Sequence, residues 1–86
     1  MDRTEILKTA ESLINGDRQR EYGDARDSFG LIAAYWSAHL DHTISSDDVA
    51  VMMTLLKIAR AKASPKSADS YVDGCGYLAL AGELAQ

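Results

Sequence analysis

Asp69 and Asp73 lie four residues apart and follow a basic run that contains Lys57, Arg60, Lys62 and Lys66. Residues at i and i+4 share one face of a helix, so a helix here would present both carboxylates on the same side, next to those cations. Carboxylates in that arrangement suit a divalent cation or the amino groups of a ligand, and the cations suit phosphate. A second charged group lies upstream, between Asp17 and Asp24. There Arg18 and Arg20 are donors for an anion, and Tyr22, like Tyr77 downstream, offers a ring to stack on a flat ligand.

Each feature also has a plainer reading. The stretch from Asp17 to Asp24 reads more simply, from residue types alone, as a solvated loop with Tyr22 packed back on the protein. Antiparallel helices would let Arg60 pair with Asp69 and Lys57 with Asp73, an ionic ladder that adds little net stability over apolar residues of the same volume. His39 and His42 are three apart, but no third ligand type lies nearby, and histidines at a helix end are commonly solvated or stabilised by the helix dipole. Cys75 is the single cysteine, which excludes an internal disulfide and a cysteine-rich zinc site and suits a reducing cytoplasm.

The elements that must position these residues read as four helices. Asp2 to Glu5 is a capping box, and Ile6, Leu7, Ala10, Leu13 and Ile14 follow as one apolar stripe that Asn15-Gly16 is expected to end. After the connector, Asp24 caps a second helix from Ala25 to about Leu40, with Phe29, Ile32 and Trp36 on its apolar side. Ser45 or Ser46 caps a third, with Asp47 and Asp48 in its first turn, and Ser64-Pro65 ends it after about Ala63. From Val49 to Ala59 that helix is apolar on every face except Thr54 and Lys57, which places it at the centre of the protein or of an assembly. A fourth helix starts near Ser67 and runs to the terminus, carrying Gly74 and Gly76 where another backbone or a ligand approaches closely.

At 86 residues, 47% hydrophobic and 26% charged, the chain reads as one all-α domain near the size at which oligomerisation often completes the core. Short connections favour an up-down four-helix bundle. That topology gathers Arg18, Arg20, Tyr22, Asp24, Asp27, Lys57, Arg60, Asp69, Asp73 and Tyr77 at one end. A net charge of −4 argues against nonspecific nucleic-acid binding, which rests on many Lys and Arg contacts to phosphate. The polar amphipathic start and the lack of any run of about 18 apolar residues predict a cytosolic protein without a membrane partner.

The pattern DRxxEYG, a Phe-Ile-Trp helix, DVAVMMTLLKIAR and DSYVDGCGYLAL together resemble a family of small phage and prophage proteins without an established activity. That resemblance spans nearly the whole chain. It extends distantly to the all-α nucleoside triphosphate pyrophosphohydrolases, the MazG and dimeric dUTPase group, and so implies a MazG-like oligomer that binds nucleotides through Mg2+ held by carboxylates of two helices. In that group the carboxylates come as EExxE on one helix and ExxD on a later one. Asp73 stands in the place of the final Asp, Ser70 stands where the Glu would be, and Asp69 is one position off. No EExxE is present, Asp24 and Asp27 being the nearest substitute.

Hydrolysis needs several carboxylates to hold the metal and activate water. The expectation is therefore a phage-associated protein that binds or sequesters a phosphorylated nucleotide. Arg18, Arg20, Lys57 and Arg60 grip phosphate, Tyr22 or Tyr77 stacks on the base, and Asp69 and Asp73 orient ribose or amino groups or hold Mg2+. A metal-dependent pyrophosphohydrolase and a non-catalytic oligomerisation module are the alternatives.

Overall fold

The computed structural model describes Met1–Gln86, and its regular structure is helical throughout. Helix α1 spans Arg3–Ser12, a π-helical turn covers Leu13–Asp17, and α2 spans Arg18–Tyr22. Helices α3 (Ala25–Leu40), α4 (Ser46–Ala63) and α5 (Ala68–Leu84) complete the fold.

Three helix starts follow directly from side-chain caps. Asp2 accepts the Glu5 N–H at 2.9 Å while Glu5 accepts the Asp2 N–H at 3.3 Å, a reciprocal box that satisfies donors with no partner inside the helix. Asp24 accepts the Arg26 N–H at 2.8 Å. Ser45 and Asp48 form a second box, at 3.2 Å and 3.4 Å. The third helix was expected to end at Ser64-Pro65, and it does, with Ser67 preceding α5.

The expected break at Asn15-Gly16 does not occur. The backbone widens there into a π turn, in which the Arg18 N–H reaches back to the Leu13 carbonyl, and then continues as α2. Arg18, Gln19, Arg20 and Glu21 are straight-chain residues that lose little side-chain freedom in a helix, so the chain absorbs two poor helix formers instead of turning. The end comes at Gly23, whose φ of 78° is left-handed and whose N–H donates to the Gln19 carbonyl at 2.8 Å. The stretch read as a connector is therefore mostly helix, and this changes where its arginines point.

Helices α4 and α5 form an antiparallel central pair. Lys57 lies opposite Gly74, and Ala50 packs with Ala81 and Leu84 in a core patch joined by Phe29 from α3. Helix α1 packs on the other flank of α5 and α3 packs on α4, while the backbones of α1 and α3 barely approach one another. The bundle is thus open along one side. Ser37 pins the link between α3 and α4: its hydroxyl accepts the Ile44 N–H at 2.8 Å and donates to the Ile44 carbonyl at 3.2 Å.

The apolar helix α4 is buried on one side only. Val49 and Ala50 are fully enclosed, and Thr54 is buried with its hydroxyl donating to the Ala50 carbonyl at 2.9 Å. Val51, Leu55 and Ile58 face outward. No helix is long and apolar enough to cross a membrane.

Candidate functional site

The close approach of the π turn to α5 builds the site. A Cβ on Gly76 would stand 2.9 Å from the Ile14 Cγ2 methyl, so the absence of a side chain at this position lets the two segments meet. That contact carries Asn15, Arg18 and Gln19 to the open side of the bundle, next to the first half of α5.

Asp73 is the charged hub. Lys57 Nζ lies 2.9 Å from one of its carboxylate oxygens, and Arg18 Nη2 lies 3.8 Å from the other. The Lys57 and Asp73 side chains are each only 18% exposed, so this pair is shielded from solvent far more than a surface ion pair. Arg18 is looser and reaches the pocket from its rim.

Two hollows meet at Asp73. The first, of about 410 Å³, fills the gap that α1 and α3 leave open over α5. Ile14, Phe29 and Val72 supply apolar wall, and Arg18, Tyr22 and Tyr77 supply polar and aromatic groups. The Phe29 and Tyr77 rings pack against each other, with centroids 6.2 Å apart and planes tilted by 31°. Tyr22 is 61% exposed, so the open face of its ring is available to a ligand. The second hollow is a groove between the end of α4 and the start of α5, lined by Lys57, Arg60, Ser64, Ser67 and Asp69.

Eight of the ten residues expected to cluster line these two hollows, in two groups. Arg18, Tyr22, Asp73 and Tyr77 share the first hollow, while Lys57, Arg60, Asp69 and Asp73 share the second. Asp24 also lines the first, while Arg20 and Asp27 join neither, Arg20 forming an ion pair with Asp17 one turn earlier on the same helical arm. Of the expected ladder, the Lys57–Asp73 rung forms. The Arg60–Asp69 rung does not form, although both residues line the groove. No three His, Cys, Asp or Glu side chains converge as a group that could hold a metal ion.

Asn15 and Gln19 line the first hollow too, although their residue types point to a helix end and to a loop. The signal for both was Gly76, a small residue in the middle of a helix that marks where a second segment comes close.

Residues 5–85 match the family described as "Domain of unknown function (DUF6378)". The chain is also similar to two phage proteins. It is 44% identical over 72 residues to the Gene 55 protein of Mycobacterium phage D29, covering 84% of this chain and 48% of that protein. It is 47% identical over 73 residues to the Gene 55 protein of Mycobacterium phage L5, covering 84% and 47%. The chain spans about half the length of these relatives. No solved structure matches it.

Proposed function

We propose that this chain, which belongs to the DUF6378 family, binds a nucleotide carrying few negative charges in the hollow between the π turn, α3 and α5. The observation that carries this reading is the company kept in that hollow: two tyrosines, the amides of Asn15 and Gln19, and one arginine at the rim. Its volume of about 410 Å³ falls within the span typical of small-molecule sites, roughly 300–1,000 Å³. Tyr22 and Tyr77 stack on the base, the two amides donate to and accept from its edge, and Arg18 takes a phosphate.

Charge sets the phosphate number. Arg18 is the one lysine or arginine that lines the hollow, and it is already 3.8 Å from Asp73, whose other oxygen holds Lys57. Asp24 and Glu83 line the same space, and several phosphates there would meet uncompensated carboxylates. A nucleoside monophosphate or a cyclic mononucleotide fits this balance better than a triphosphate.

In the same proposal the fold is a reduced MazG-like bundle that has kept a nucleotide-sized hollow without the EExxE helix. Its role is binding or sequestration in a phage setting, with Mg2+ entering only in company with the ligand's phosphate. Binding is favoured over hydrolysis because the chain's carboxylates do not converge as a metal-holding set.

A thermal-shift panel of nucleosides, monophosphates, cyclic mononucleotides, diphosphates and triphosphates tests the reading. A ligand at 100 times its Kd stabilises the folded state by about 2.7 kcal/mol, a shift that is easily seen for a chain of this size. A monophosphate or cyclic nucleotide is expected to raise Tm, and Arg18→Gln to reduce that rise. If no member of the panel shifts Tm, the proposal fails.

A further inference from the structure

The outer face of α4 is apolar and uncovered. Val51, Met52, Leu55 and Ile58 all lie on it, with Leu55 and Ile58 more than half exposed. The positions 48, 51, 55, 58 and 62 follow one another at spacings of three, four, three and four, the repeat of a seam made for another helix. Apolar residues fill its middle, and a single charge of opposite sign closes each end: Asp48 at the start and Lys62 at the finish, both exposed.

We propose that this face is the contact for a second copy of the chain, bound antiparallel about a two-fold axis that passes through Leu55. A two-fold contact must be self-complementary, and this face is once the exposed neighbours Met52 and Ala59 are counted with the seam. With Leu55 opposite its own copy, Val51 faces Ala59, Met52 faces Ile58, and Asp48 faces Lys62, at both ends at once. A parallel pairing would instead set Asp48 against Asp48 and Lys62 against Lys62. The pattern of charge therefore selects both the partner and its direction.

The surface area agrees. The chain exposes 6068 Å², about 1,000 Å² more than the roughly 5,000 Å² expected of a compact protein of 9.3 kDa. A stable interface buries about 800 Å² on each partner, so the excess is of the size one interface removes. Only ten residues of the chain are buried, and none of the outward positions of α4 is among them. Burying this seam leaves the nucleotide hollow accessible, because that hollow takes no wall from α4.

Sedimentation combined with cysteine cross-linking tests the proposal, in a Cys75→Ser background so that the introduced thiol is the sole one. The wild-type chain should sediment as a dimer at micromolar concentration. Leu55→Glu should convert it to a folded monomer with unchanged helical circular dichroism, since the site is exposed in the single chain, and Lys62→Glu should weaken the dimer. Leu55→Cys should link to itself on mild oxidation. Val51→Cys should link to Ala59→Cys in a mixture of the two variants and not to itself. A monomeric wild-type chain, a dimer that survives Leu55→Glu, or self-linking of Val51→Cys would each overturn the proposal.

Discussion

Gly76 and Ile14 meet so closely that a methyl group on the glycine would lie 2.9 Å from the isoleucine side chain. Gly74, two residues earlier, has ordinary room, with Lys57 Cβ 3.7 Å from the equivalent point. The two glycines should therefore respond oppositely to the same substitution. Gly74→Ala should stabilise by about 0.5–1 kcal/mol through helix propensity. Gly76→Ala gains the same propensity but forces a β-branched side chain aside, at about 1–3 kcal/mol, and should lower Tm. Chemical denaturation of both variants checks the pair, and the Gly76 variant should also lose ligand response as the π turn moves off α5.

Asp73→Ala should leave Lys57 half-buried without its partner and cost about 1–3 kcal/mol. The double change Lys57→Met with Asp73→Leu should recover most of that loss, because a shielded pair adds little over apolar side chains of the same volume. A double-mutant cycle should show a coupling above that of the exposed Arg20–Asp17 pair, for which about 0.3–0.5 kcal/mol is expected. Equal couplings would mean that the Lys57–Asp73 pair behaves as a surface pair.

Ser37→Ala removes both hydrogen bonds to Ile44 and leaves the Ile44 N–H without its partner in a half-buried link. A loss of about 1–3 kcal/mol is expected, read by urea denaturation. The amide of Ile44 should at the same time lose protection from hydrogen exchange.

Much of the fold was legible because its signals are local. Asp24, Ser45 and Asp48 cap helices where their residue types say they should, and Ala25–Leu40 matches the expected second helix to the residue. Asn15-Gly16 misled because a stop signal works only if nothing downstream prefers to continue, and Arg18 to Glu21 do prefer to. The candidate site was legible in part of its membership and not in its division: Arg20 lines neither hollow, and Asn15 and Gln19 line the first without having been expected there. Which of Lys57 and Arg60 would find a carboxylate depends on the register of α4 against α5, and where Arg20 points depends on the π turn. Neither is written in residue types.

Tyr22 and Arg18 should separate in their effects on binding. Tyr22→Ala removes an exposed ring, so Tm without ligand should hold while affinity falls about tenfold or more, in keeping with about 1–3 kcal/mol for stacking on a base. Arg18→Gln should narrow the preference for a nucleotide over its nucleoside. Calorimetric titration of both ligands into each variant checks this.

An amide-resolved NMR titration tests most directly whether the hollow over α5 receives a mononucleotide. Saturable shifts are predicted at Ile14, Asn15, Gln19, Gly76 and Tyr77 as a nucleoside monophosphate or cyclic mononucleotide is added, with the outer residues of α4 unmoved. Shifts confined to α4, or no shifts with any mononucleotide, would contradict it.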